Sequence, residues 1–354
     1  MTINKPFEHG VLGVLHGTWE IELLSPLAIR NGDKIAFKQK EKRLAKGRGT
    51  NLALAWSQSE TVLANQPDEY SKIADCNYHF ALHHGQVHVE YSIPASSIRG
   101  ALRNTAIKRW VEWSNRKTFS LPNKEDKTIN LEERMQRAKA ELQESKNGWY
   151  DILSLFGCAF DLGEDNDNPL TWAGRMRLST QINSTTAAQP LNYMGKTLAA
   201  QDVDGPQNLQ REVAVRNPID RVTMAAKDGG LHGWLEISPG QCFTLSFQIL
   251  NPCPKDLELL NLWIDEINQG YLCFGGLTSQ GRGRVAVKTE EYELFVSKAS
   301  ALAGKLLSAN KPPAVKKDPS LQGLWVGAKI NTREELKALS FENLPRLKGN
   351  NGHE

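Results

Sequence analysis

Residues 18–24 read TWEIELL, and within them Trp19, Ile21 and Leu23 alternate with Thr18, Glu20 and Glu22. A period of two sends successive side chains to opposite faces, so this stretch is a half-buried strand with one apolar face. The same alternation returns in RMRLSTQI (175–182), where Met176, Leu178, Thr180 and Ile182 share a face, and again in Phe243, Leu245, Phe247 and Ile249. Strand character also precedes this last run at 231–237, with a turn at Pro239 and Gly240, and a final strand follows at RVAVK (284–288). Helical spacing fills the gaps. Pro94 and a capping hydroxyl from Ser96 or Ser97 open a helix to about Trp113, in which Ile98, Leu102, Ala106 and Trp110 recur every four residues. Pro254 opens another, with Leu257, Leu260, Ile264 and Ile267 on one face and Gly270 at its end. Strand, helix, strand, strand, helix, strand predicts an α+β fold with a ferredoxin-like core (βαββαβ), an antiparallel sheet backed by two helices and interrupted by large insertions.

With 354 residues, 40% hydrophobic and 23% charged, the chain can bury a sizeable core as one elaborated domain or two, which excludes a disordered chain. The formal charge of +3 is too small to announce a nucleic-acid ligand, so local clustering must decide. No apolar run suits a membrane span and the start lacks a signal-peptide pattern, which makes the cytoplasm the expected location and a membrane no expected partner. The cysteines 76, 158, 242, 253 and 273 are scattered without a C-x-x-C pair and are expected to be reduced thiols.

Four stretches stand outside the core series. Residues 31–71 form a polar insertion in which seven basic residues face one acid between Lys34 and Arg48. That composition predicts a segment ordered by nucleic acid or by a neighbouring subunit. Cys76 to Tyr91 reads as a hairpin turning at HHGQ. A second, peripheral helix is expected from Asn130, with Leu131, Met135, Ala138 and Leu142 in line. Residues 183–237 form a second excursion. The core is therefore expected over 15–290, with a weakly packing tail over 291–354.

Four constellations can carry chemistry. At IPASSIRGALR, a helix N-terminus, Ser96, Ser97, Arg99 and Arg103 converge into a natural phosphate site, against the alternative of an ordinary capped helix. GGLTSQGRGR (Gly275–Arg284) spaces Gly276 and Gly281 as a phosphate loop does, but Arg282 and a strand follow where a nucleotide-binding loop needs Lys and a helix. Nucleotide hydrolysis is thereby rejected, and a backbone rich in N–H donors suits an RNA chain instead. The histidines 79, 83, 84 and 88 suggest a metal or proton exchange, but alternation is expected to scatter them over both faces of a solvated hairpin. Asp75 and Asp33 are isolated carboxylates near the proposed phosphate site, while Asp165 and Asp167 fit a solvated turn.

Taken in order, IPASSIRGALR, LFG, RNPIDRVTMAAKDGG and GGLTSQGRGRV resemble the repeat-associated mysterious protein (RAMP) superfamily of CRISPR systems, and most closely the backbone subunits of type III effector complexes. The resemblance covers about residues 15–290, apart from the insertion. It implies a modified RNA-recognition-motif fold that grips a guide RNA by its ribose-phosphate chain and inserts a thumb hairpin into it. On that basis Ser96, Ser97, Arg99 and Arg103 fall on the RNA-contacting helix, and Gly275, Gly276, Ser279, Arg282 and Arg284 on the glycine loop. Arg216 and Arg221 fall at the start of the thumb. The family's catalytic aspartate matches Asp75, with Asp33 as runner-up, and would imply a divalent metal, Mg or Mn, for cleavage of target RNA. The implied partners are CRISPR RNA, target RNA, other RAMP subunits and the large polymerase-like subunit. Two other functions compete: a non-catalytic structural subunit whose insertion contacts its neighbours, and a stand-alone CRISPR-RNA processing endonuclease using His16 or the hairpin histidines as acid and base.

Overall fold

The computed structural model describes residues 11–39, 54–56, 70–83, 86–114, 149–160, 170–182, 191–193, 196–198, 209–216, 219, 222–224, 232–297 and 325–338. In chain order come β1 (Gly13–Leu23), β2 (Arg30–Gln39), β3 (Leu54–Trp56), β4 (Tyr70–Cys76), β5 (Tyr78–His83), β6 (Gln86–Tyr91) and the helix α1 (Ala95–Ser114). Next are α2 (Trp149–Phe156), β7 (Gly157–Phe160), β8 (Leu170–Ala173), β9 (Met176–Ile182), β10 (Leu191–Tyr193), β11 (Lys196–Leu198), β12 (Arg211–Arg216) and β13 (His232–Ile237). The series closes with β14 (Cys242–Leu250), α3 (Pro254–Asn268), β15 (Val285–Ser297), β16 (Trp325–Ile330) and α4 (Arg333–Ala338). The fold is α+β, with mostly antiparallel sheet and few helices. Among the described residues no helix is long and apolar enough to cross a membrane.

A five-stranded sheet runs in the order β16-β15-β1-β14-β9, with every neighbouring pair antiparallel. Burial alternates along the whole of β1, so Leu15, Trp19, Ile21 and Leu23 enter the core as their spacing requires. On α1 the stripe Ile98, Leu102 and Ala106 is fully buried, and on α3 Leu257, Leu260, Ile264 and Ile267 are buried together with Trp263. α1 packs on β9, α3 packs on β15, and the two helices touch each other and the short α2. The indole N–H of Trp263 donates to the Leu102 carbonyl at 3.0 Å, so the ring is buried without an unmet polar group.

A second, seven-stranded sheet, β11-β10-β12-β13-β4-β2-β3, places strands inside both sequence excursions, 31–71 and 183–237, among them the strand expected at 231–237. Lys34 to Lys38 of β2 pair with β4, so this part of the basic run is ordered by backbone pairing within the chain. Residues 40–48 lie outside the described residues, as does the helix expected from Asn130. Residues 232–237 and 242–250, adjacent in sequence, belong to different sheets. Leu27 bridges Ile237, and Ala28 bridges Gly276, so the segment after β1 stitches the sheets together at the glycine loop.

The C-terminal stretch does not pack weakly throughout. β15 runs across the expected boundary at 290, and β16 adds a further strand to it. A polar chain locks α4 in place. Trp19 Nε1 donates to the Tyr292 hydroxyl at 3.2 Å, that hydroxyl donates to Glu290 at 2.6 Å, and Glu290 pairs with Arg333 at 2.9 Å. Burial, followed by the bond to Glu290, pushes the Tyr292 phenol above its usual range.

Asp151, in the first turn of α2, is held above the usual carboxyl range by burial first and then by the charge of Asp256. A folded pKa raised above the unfolded one favours folding below about pH 4 and loses that contribution as pH rises through the folded value. Asp151→Asn is therefore expected to raise the thermal midpoint at pH 7 and leave it nearly unchanged at about pH 3. Equal shifts at both pH values in scanning calorimetry would contradict it.

Candidate nucleic-acid interface

The start of α1 is the hub of the candidate site. Pro94 accepts the first helical bonds from Ser97 at 3.0 Å and Ile98 at 3.4 Å, and the first turn carries no acidic residue, so its positive dipole end stays uncompensated by side chains of the turn. On one side of Gly100 lies a cleft of about 670 Å³ between α1 and the glycine loop, lined by Ala28, Arg30, Ser97, Gly100, Gly275, Gly276 and Thr278 among others. On its other side lies a cleft of about 810 Å³, lined by Ser96, Arg99, Gly100, Arg103, Phe156 and Arg177 among others.

The glycine loop owes its shape to close approach. Gly276 N donates to the Ala28 carbonyl at 2.8 Å, Gly283 N to Pro26 at 2.9 Å, and Phe274 N to the Gly283 carbonyl at 2.9 Å. A Cβ on Gly283 would lie 1.8 Å from the Phe274 oxygen, and its φ of 75° lies in the left-handed region. Leu277, Gly275 and Gly281 also have positive φ, and Thr278–Gln280 make a single tight turn that leaves Ser279 exposed.

The sequence-predicted residues are not all equally available. Arg99 donates to the Phe156 carbonyl and lies 6.0 Å from that ring's centre, so it braces α1 against α2 while lining the second cleft. Arg103 lines the same cleft, and its Nε is buried with no hydrogen-bond partner among the described residues. Arg282 pairs with the fully buried Glu236 at 3.2 Å, and Glu236 also accepts from the Trp234 indole at 2.7 Å. Burial and the Glu236 charge push the Glu212 carboxyl up, with Arg282 opposing. Arg284 is exposed beside Gly270, and its backbone N donates to Ser25 Oγ at 2.8 Å. Arg216 ends β12, and Arg221 lies outside the described residues.

Sequence reasoning missed Arg30, Asn104 and Arg177. Arg177 was legible as a basic residue on the polar face of an alternating strand, but nothing local says that this face fronts α1. Arg30 lies 5.0 Å from the ring centre of Trp234 and lines the first cleft.

A family model described as the RAMP superfamily matches residues 20–286, which take in α1, α2 and α3, all seven strands of the second sheet and the glycine loop. The chain belongs to the RAMP superfamily. No curated protein matches it. Among solved structures it is similar to a chain described as "Type IV-B CRISPR Complex", with 14% identity over 78% of this chain and 90% of that one and a TM-score of 0.41.

In this RAMP superfamily chain the rival acids share one place. Arg30 pairs with Cys76 and Lys34 with Ala74, with a register shift between them, so Asn31, Gly32 and Asp33 bulge opposite Asp75. Arg30 beside this bulge lines the first cleft. Carboxylates are the hard oxygen donors that Mg or Mn takes, so the donor type fits the implied metal. Among the described residues no group of three metal-ligating side chains is assembled.

Proposed function

We propose that the chain binds a guide RNA along its phosphates as a backbone subunit of a CRISPR effector complex of the type III kind, with target RNA and other RAMP subunits as partners. The observation that carries this reading is the meeting of two clefts at Gly100, one lined by Ser97, Arg30 and the Gly275–Thr278 stretch of the glycine loop and one by Arg99, Arg103 and Arg177. Arginine forks and helix-end N–H groups recognise phosphate without reading bases. The ferredoxin-like core rests on strand order: along the βαββαβ series, β15, β1, β14 and β9 stand fourth, first, third and second. Superfamily membership supports the same assignment.

Single-stranded RNA titrated over a range of salt tests the reading. Arg103→Ala with Arg177→Ala should weaken binding for unrelated sequences alike and flatten the slope of log affinity against log salt by about 1.4, two contacts at roughly 0.7 each. Unchanged affinity at every salt concentration would remove the second cleft from the RNA path.

Cleavage of target RNA extends the proposal. Asp75, with Asp33 across the bulge, would hold a Mg or Mn ion, and that ion would supply positive charge for the phosphate oxygens as negative charge develops. Ser97 and the loop N–H groups would hold the phosphate in the first cleft. In the assembled complex Asp75→Ala should abolish cleavage and leave guide binding near wild type. Cuts that persist with Asp75→Ala but vanish with Asp33→Ala move the role to Asp33. Cuts that persist with both variants make the subunit a scaffold.

A further inference from the structure

Two aromatic rings are largely exposed among the described residues, Phe80 at 71% and Tyr271 at 70%. Phe80, on the β5–β6 hairpin, stands edge-on to Tyr78 with ring centres 6.2 Å apart. On the same hairpin His79 lies 4.0 Å from Glu90, while the side chains of His83, His84 and His88 lie outside the described residues. Tyr271 is placed differently, among cations.

Gly270, at the end of α3, has a left-handed φ of 80°, and the backbone N of Tyr271 after it donates to the Glu266 carbonyl at 2.9 Å. This turn fixes where the ring leaves the helix. The Arg109 guanidinium, from α1, lies over that ring at 5.7 Å from its centre, a cation–π distance. Arg109 is itself pinned, because its Nη2 lies 2.9 Å from each carboxylate oxygen of Glu266, a buried residue. A Cβ on Gly270 would lie 3.1 Å from both Nε and Nη2 of Arg284, so a second guanidinium lies across the residue before the ring. Arg109 thus backs one face of Tyr271, and the exposure of the side chain belongs to the other.

The ring stands where the first cleft continues. Ala101 and Asn104 of α1 line that cleft together with Cys273, two residues after Tyr271. Arg109 is five residues beyond Asn104, about 7.5 Å along the helix axis. Lys108, exposed and one turn beyond Asn104, shares its side of α1. The Arg284 charge reaches Cys273 as well, opposing the upward push that burial gives its thiol.

We propose that Tyr271 stacks one unpaired base of an RNA strand leaving the first cleft along α1, with Lys108 and Arg284 on the phosphates beside it. The inference rests on the RNA-binding reading and adds to it a contact made with a base. Every base has a π-face, so the contact selects no sequence. It does select an unpaired strand, because inside a duplex both faces of a base are already stacked. Pinning Arg109 on Glu266 orders the backing of the ring before RNA arrives, which lowers the cost of ordering it on binding.

The test uses the full chain and two labelled RNAs of equal length, one carrying its bases and one an abasic ribose-phosphate chain. Tyr271→Ala should weaken binding to the base-carrying RNA about 5- to 150-fold, the worth of one stacked base. The slope of log affinity against log salt should stay unchanged, since no phosphate contact is lost, whereas Arg284→Ala should flatten it by about 0.7. Tyr271→Phe keeps the ring and should bind as the wild type does. On the abasic chain wild type and Tyr271→Ala should bind alike. Circular dichroism checks the fold, and should Tyr271→Ala misfold, Tyr271→Leu, which keeps bulk against Arg109 but has no flat ring, carries the same comparison. Equal affinity of wild type and variant for the base-carrying RNA, or the same loss on the abasic chain, overturns the proposal and leaves the phosphate reading standing. A wild type that binds neither RNA overturns both.

Discussion

Asp256→Ala is expected to lower stability by about 3–5 kcal/mol, the cost of leaving a buried charge without its partner. Arg175 is 2% exposed and Asp256 is fully buried, and they meet in a two-pronged pair at 2.7 and 2.8 Å. The same guanidinium donates to the Leu250 carbonyl at 3.2 Å, to Asn251 at 3.0 Å and to Ser154 Oγ at 2.9 Å. Burial disfavours its charge, but the Asp256 carboxylate outweighs burial and holds the group above its usual pKa. One ion pair thus ties together the start of β9, the end of β14, and both α2 and α3. Cys253 Sγ sits beside it, and burial pushes that thiol up to about 12. The contrast is Lys255 with Glu258, an exposed pair at 2.6 Å whose loss should cost at most about 1 kcal/mol. Replacing Arg175 and Asp256 together with apolar residues should recover much of the loss, because no charge is then stranded. Urea denaturation of the three variants decides it, and equal costs for Asp256→Ala and Lys255→Ala would show that the pair does not anchor the core.

Gly283→Ala should abolish RNA binding through the glycine loop, whereas Gly281→Ala should be nearly silent in binding. Both positions have left-handed φ, at 75° and 80°, so an alanine pays a similar backbone cost of about 1–2 kcal/mol at each. Only the surroundings differ. A Cβ at 283 meets the Phe274 oxygen at 1.8 Å and its carbonyl carbon at 2.9 Å, while at 281 nothing lies within 4 Å. The clash at 283 forces apart the bonds that join Phe274 to Gly283 and Gly283 to Pro26, and the glycine-loop side of the first cleft moves with them. Fluorescence anisotropy with labelled RNA, alongside denaturation curves, gives both quantities. Loss of stability at 283 with wild-type affinity would place the loop outside the RNA path.

The candidate site was legible in pieces. Ser96, Ser97, Arg99 and Arg103 cluster at a helix start in the sequence, and the glycines announce a backbone that something must approach closely. What the pieces do together was not legible. Arg99 and Arg282 look alike as free cations in the sequence, yet one braces the Phe156 carbonyl and the other pairs with a buried glutamate, and both partners are distant along the chain. Asp75 and Asp33 stood as first and second choices for one role, and the β2–β4 pairing sets their backbones at one bulge.

By itself the sequence determined the inner faces of β1, β9 and β14, the helices α1 and α3 and the glycine loop, because each rests on local periodicity or on a backbone angle that one residue type tolerates. Only the tertiary structure decided the second sheet. Its strands are short or broken by a bulge, and polar residues sit at its buried positions: Arg211 is fully buried against the Tyr91 hydroxyl at 2.8 Å, and Glu236 is fully buried beside Trp234. Such residues erase the alternation that marks a strand, and the partners that make their burial tolerable come from elsewhere in the chain. The hairpin histidines follow the same rule, since the face each residue takes is set by alternation along its own strand, but which residues stand across from one another is set by pairing.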